Sequence, residues 1–247
     1  MNRLHLAIAF ALLTAACTKE SAPSTQPSPT TNGTAATGIV PPGVTLNTDH
    51  PQTAALPKST NPTDAEGFIQ HWLILDPIHI EGVGDHSEDV EKPMFAKEYF
   101  KNQLAVIPHD KDKVTVDGKP LVWHKVKVDD NQVDLAQFSA DNNTDPNSCL
   151  YFGFTYVFAP DDMKVKLAIG SDDSSVWWLN GSEVIRDYAS RGVTADDDTS
   201  KEVALKKGFN TLRFAVIQGD GPTGACARFL DNQDRPITAI KVSADVP

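Results

Sequence analysis

Basic side chains are in short supply in this chain: 22 Lys and Arg stand against 33 Asp and Glu, a formal charge of -11. That balance argues against nucleic acid or anionic lipid as the partner. No basic patch interrupts it, since Lys111/Lys113 and Lys206/Lys207 sit beside turns and read as solvated faces. Catalytic signatures are absent as well. There is no Gly-x-Ser-x-Gly elbow, no His-Glu-x-x-His helix and no Gly-x4-Gly-Lys-Ser/Thr loop. Gly219-Asp-Gly-Pro-Thr-Gly224 fits G-x-G-x-x-G literally, but Pro222 lies inside it and a strand follows, so no helix N-terminus is available for a pyrophosphate. It reads as a glycine-rich loop between antiparallel strands, with Asp220 on it as a candidate ligand-binding residue. A glycosidase would need two carboxylates flanking the scissile bond. Acids are abundant, but no catalytic-family signature accompanies them, and the expectation is a non-catalytic protein.

Long apolar runs are also missing. Leu4 to Leu13 is too short to span a bilayer as a mature helix, and with Arg3 before it and Thr14-Ala15-Ala16 after it, the segment reads as a secretory signal. Loss of Arg3 with residues 1–16 would take the charge to -12, from 21 basic and 33 acidic residues. Residues 17–65 are dominated by Ser, Thr, Pro, Ala and Gly, with few large apolar side chains. Such a composition cannot bury enough surface to offset the entropy of ordering, so this stretch is expected to be a disordered tether.

Residues 66–247 match one domain by length, and their pattern is that of strands. Met163 to Ile169 alternates, with Val165, Leu167 and Ile169 on one face and Lys164, Lys166 and Ala168 on the other. Phe68–Leu75, Leu121–Val128, Leu150–Phe158, Val176–Leu179, Asn210–Ile217 and Ala225–Phe229 are further candidates, and Asn180-Gly181 is a two-residue hairpin turn. Many short strands with turn punctuation indicate an all-β sandwich. One short helix is expected at Pro93–Phe100, opening on Pro93.

Three motifs carry a resemblance: Gly170-Ser-Asp-Asp173, Val176-Trp-Trp-Leu-Asn-Gly181 and Leu205-Lys-Lys-Gly-Phe-Asn-Thr-Leu212. Together they resemble the galactose-binding-like jelly-roll domains of bacterial surface proteins. The paired-aspartate segment alone is similar to the protective-antigen-type lectin domain. The resemblance implies a jelly-roll β-sandwich that binds carbohydrate, with Asp172 and Asp173 as calcium ligands. Adjacent carboxylates offer hard oxygens suited to that ion, and the alternative is that they cap turns by accepting backbone N–H bonds. Cys17, directly after the small residues, resembles a bacterial lipobox cysteine, which implies lipidation and an outer-membrane location, with membrane contact through that anchor alone.

Trp177 and Trp178 are consecutive in a strand and must point to opposite faces. One can fill the core while the other faces solvent or a covering loop; an exposed indole would be a stacking platform for a sugar ring, and the alternative is that both pack in the core. Cys149 and Cys226, the pair left beside Cys17, are a disulfide candidate in an oxidising compartment, the alternative being two buried small apolar residues. His79, His86, Glu81, Asp85, Glu88 and Asp89 form a His/carboxylate-rich loop, read as a transition-metal site or as a solvent-facing loop. The expected function is a lipid-anchored envelope protein with a carbohydrate-binding β-sandwich, its partner a polysaccharide or other glycan. The alternative is a structural or assembly protein that binds an envelope protein.

Overall fold

The computed structural model describes residues 59–84 and 86–245. The expected signal segment, Cys17, the tether up to residue 58 and Asp85 lie outside these residues.

The chain order is β1 (Asn61–Pro62), β2 (His71–Leu75), β3 (Ile78–His79), α1 (Glu88–Ala96), β4 (Lys113–Val116), β5 (Lys119–Lys127), β6 (Val133–Asp134) and α2 (Leu135–Asp141). There follow β7 (Cys149–Ala159), β8 (Met163–Asp172), β9 (Ser175–Leu179), β10 (Ser182–Asp187), β11 (Asp198–Thr199), β12 (Val203–Leu205), β13 (Gly208–Gln218), β14 (Gly224–Leu230) and β15 (Lys241–Ser243). They form an all-β sandwich. A 10-stranded sheet runs β10-β9-β13-β7-β2-β5-β4, with β3 and β15 also pairing β7 and β1 pairing β15. A 5-stranded sheet runs β11-β8-β14-β6, with β12 on β8. Because Asn61 pairs with Val242, the folded module begins ahead of the Glu66 boundary that composition suggests.

Alternation sorts the side chains. On the large sheet Trp72, Ile74, Tyr151, Val157, Trp177, Phe214 and Val216 face inward, where they meet Val165, Leu167, Ile169, Ala227 and Phe229 of the small sheet in one apolar core. The opposite face of the large sheet carries Leu73, Leu75, Phe152, Phe154, Val176, Trp178 and Ile217. It is covered by Phe95 of α1 and by Phe100, which makes a second core. Gly153 sits opposite Phe214 in the β7–β13 register, and a Cβ there would lie 2.2 Å from the Phe214 ring. The absent side chain at Gly153 thus makes room for that ring. At the hairpin, Asn180 and Gly181 have φ of 52° and 79°, the positive values that a two-residue turn requires.

Two expectations need correction. Among the described residues there are two helices, and Pro93 lies inside α1 instead of opening it. Glu88, Asp89 and Glu91 carry the helix upstream, in the first turn where acids are favoured by the helix dipole. The second helix, α2, is a seven-residue element started by Asp134, whose side chain accepts from Gln137 N at 2.7 Å. The expected disulfide is not formed: Cys149 and Cys226 are free and buried. Cys149 shares the inward face of β7 with Tyr151. Cys226 alternates with the inward Ala225 and Ala227, so it points away from the core. The Cys149 thiol instead donates to the carbonyls of Asp145 and Asn147.

Candidate functional site

The end of β8 brings the paired aspartates to the rim of the sandwich. Their joining peptide bond is cis. Asp173 is buried and fully engaged. Its Oδ1 accepts from Arg191 N at 3.1 Å, and its Oδ2 accepts from Gly219 N at 3.4 Å and lies 3.2 Å from His86 Nε2. The other ring nitrogen of His86, Nδ1, lies 2.8 Å from Oε1 of Glu91, a carboxyl with no exposed surface. Burial raises the Glu91 pKa, opposed by the Ser174 hydroxyl and by His86. Asp173 is therefore a clip that ties the β8–β9 turn to α1 and to two loops.

Asp172 has the opposite character. Its backbone carbonyl accepts from Thr223 Oγ1 at 2.7 Å, but its carboxyl has no hydrogen-bond or ion-pair partner among the described residues. Burial, then the neighbouring Asp173 charge, push its pKa up to about 6, against the pull of His86. Asp172 lines a cleft of about 540 Å³. Ala136, Ala140, Val193 and Pro222 give the walls apolar surface, while Asp134, Gln137 and Thr223 add polar atoms.

One wall of the cleft is the 188–197 loop, which lies directly on the small sheet. A Cβ at Gly170 would come 2.0 Å from Thr194 O, so the approach needs glycine there. Arg191 anchors the same loop. It donates to Ser171 O and Ser171 Oγ at 3.3 and 3.0 Å, and pairs with Asp187, Asp197 and Asp198 at 3.2, 3.0 and 2.6 Å. Asp196 pairs with Arg228. The acidic run 196–198 is thus spent on arginines.

Of the two readings of the tryptophans, the structure has core packing for both. They do point to opposite faces, but Trp177 is 0% and Trp178 6% exposed, one in each core. The second face of the large sheet is covered, so neither indole is a stacking platform. Trp177 Nε1 donates to Ser175 Oγ at 3.0 Å, and Ser175 Oγ lies 2.9 Å from Ser171 Oγ, which braces the strand ends behind Asp172. Asp220 is exposed on the loop whose Gly221, Pro222 and Thr223 line the cleft, without lining it itself.

The calcium expectation meets a donor set of one open carboxylate, since both Asp173 oxygens already accept hydrogen bonds. Among the described residues no group of three or more His, Cys, Asp or Glu side chains could hold a metal ion. The described residues of the 79–89 segment do not gather as a metal site: His79 is exposed, while His86 turns inward to Glu91. Sequence reasoning missed Glu91, whose only signal was an acid at a position that α1 buries.

No protein-family model matches the chain, and no curated protein matches it. Among solved structures it is similar to an anti-sigma factor domain-containing protein, at 12% identity over 49% of this chain and 40% of that one, with a TM-score of 0.39. It is similar to the PA14 domain of the MpAFP antifreeze protein at 12% identity, over 78% of this chain and 96% of that domain, with a TM-score of 0.39. It is similar to the β-glucosidase of Kluyveromyces marxianus, solved with glucose, at 20% identity and a TM-score of 0.35. That match covers 47% of this chain, which spans only 14% of the β-glucosidase.

Proposed function

We propose that this chain is a non-catalytic, lipid-anchored envelope protein whose β-sandwich binds a glycan in the cleft beside Asp172. The observation that carries the reading is that Asp172 is half-buried, lines a concave site, and has a carboxyl without a hydrogen-bond or ion-pair partner among the described residues. A carboxylate in that position is an acceptor for two or more ligand hydroxyls. The cleft walls mix apolar side chains with convergent polar groups in nearly equal share, and about 540 Å³ falls within the usual range of a small-molecule site. The strong protein donors nearby, Arg191, Arg228 and His86, are all committed to other carboxylates, which favours a neutral hydroxylated ligand over an anion.

Calcium enters this reading in a reduced form. Asp172 is the carboxylate of the pair open to an ion, and backbone carbonyls and ligand hydroxyls would complete the shell. The lipid anchor is Cys17, on the sequence pattern around it.

The test is a glycan array probed with the full chain, with calcium and with chelator. Binding abolished by Asp172→Asn, with the melting temperature not lowered, supports the reading. A chelator effect assigns calcium a part. Failure of every glycan overturns the reading and moves an envelope protein partner ahead. Incorporation of a labelled acyl chain, lost in Cys17→Ala, tests the anchor.

A further inference from the structure

A second cleft, of about 520 Å³, lies between β5 and α2 and shares Gln132, Asp134 and Gln137 with the cleft at Asp172. It holds a histidine set up to receive a ligand. His124 sits on the inward-facing row of β5 with Val126, and its ring meets Phe138 of α2 edge-on at 5.5 Å. Asp76 fixes the ring: its Oδ1 lies 2.8 Å from His124 Nε2, while its Oδ2 accepts from Val122 N at 2.8 Å. A carboxylate only accepts, so Nε2 carries the hydrogen, and in the neutral form of the ring Nδ1 is the acceptor. Among the described residues no group bonds to Nδ1, and His124 lines the cleft.

We propose that the cleft at His124 is a second subsite continuous with the one at Asp172, so that the ligand is a linear chain of hydroxylated units laid across the start of α2. The inference rests on the glycan reading above and specifies its ligand class. Asp172 and His124 Nδ1 are both acceptors, one at each end, and both suit hydroxyl donors. Gln137, whose Nε2 donates to Asp141 Oδ1 at 2.7 Å, lines both clefts and joins them. The second cleft is lined by the part-buried Val126 and Val128 among polar side chains such as Asp130 and Gln132, apolar surface that a C–H face of a sugar ring can cover. Asp76 has a positioning role, since it touches the ring and not the cleft.

Calorimetric titration of the full chain with soluble neutral and amino-sugar oligosaccharides of one to six units tests this. Affinity should rise by about tenfold between one unit and four, as one added hydrogen bond with its packing would give. His124→Ala should remove that rise and leave single-unit affinity as in the parent chain. Asp76→Asn should weaken only the longer ligands. Equal affinity at every length, or a His124→Ala loss shared by single units, would overturn the second subsite and leave the first. Binding of no oligosaccharide would overturn both. Should His124→Ala fold poorly, imidazole nitrogen NMR of the parent chain decides. The Nδ1 signal of His124 should move with four units and stay with one, and movement with neither would overturn the subsite.

Discussion

His86 stands between Glu91 and Asp173, with Nδ1 at 2.8 Å from the first carboxyl and Nε2 at 3.2 Å from the second. One imidazole thereby couples α1 to the turn that presents Asp172. Removing it would strand a buried acid. His86→Ala is expected to destabilise the domain by about 3 kcal/mol, measured by urea unfolding, and Glu91→Gln in the same background should recover part of the loss.

Asp172 predicts a pH dependence. Its pKa is raised in the folded protein from an ordinary 3.8 to about 6, so the folded state holds the proton more tightly than the unfolded chain. Its stabilising effect is complete below about pH 3.8 and is lost as pH rises through about 6. Asp172→Asn should therefore raise the melting temperature at pH 7 relative to the parent, with the difference vanishing near pH 4. A difference that grew toward low pH would contradict the assignment.

Gly153→Ala should cost about 1–3 kcal/mol, because the new methyl would enter the Phe214 ring at 2.2 Å in a filled core. Phe214→Leu in the same chain should relieve the clash. Chemical denaturation of the two single variants and the double variant gives the coupling.

The thiols make a simple contrast. Burial pushes Cys149 up to about 12 and Cys226 up to about 11, so neither forms a reactive thiolate near neutral pH. Both should resist iodoacetamide in the native protein and react fully in denaturant without reductant. Reductant should leave the melting temperature unchanged.

Much of the fold was legible because period-two alternation survives in the inner strands. Met163–Ile169 stands where alternation puts it, and the aromatic run Leu150–Phe158 and the Asn180-Gly181 turn also stand where the sequence pattern puts them. What alternation cannot show is how many layers a sheet has. Trp178 faces away from the sandwich core, as its parity requires, yet it is buried because α1 and the residues after it fold over that face. For the same reason neither tryptophan of the pair is a binding platform. The aspartate pair was visible as a motif, but the division of labour within it depends on His86, Arg191 and Gly219, which are far apart in sequence. The second helix lay below the length at which periodicity speaks, and Asp134 was its only mark.

The contact of Thr194 with Gly170 has a thermodynamic consequence for recognition. A wall already pressed onto the sheet, and riveted by Arg191 to three carboxylates, has little conformational freedom left to surrender when a ligand arrives. The entropic penalty of association then falls mainly on the ligand, and a stiff saccharide would feel it least.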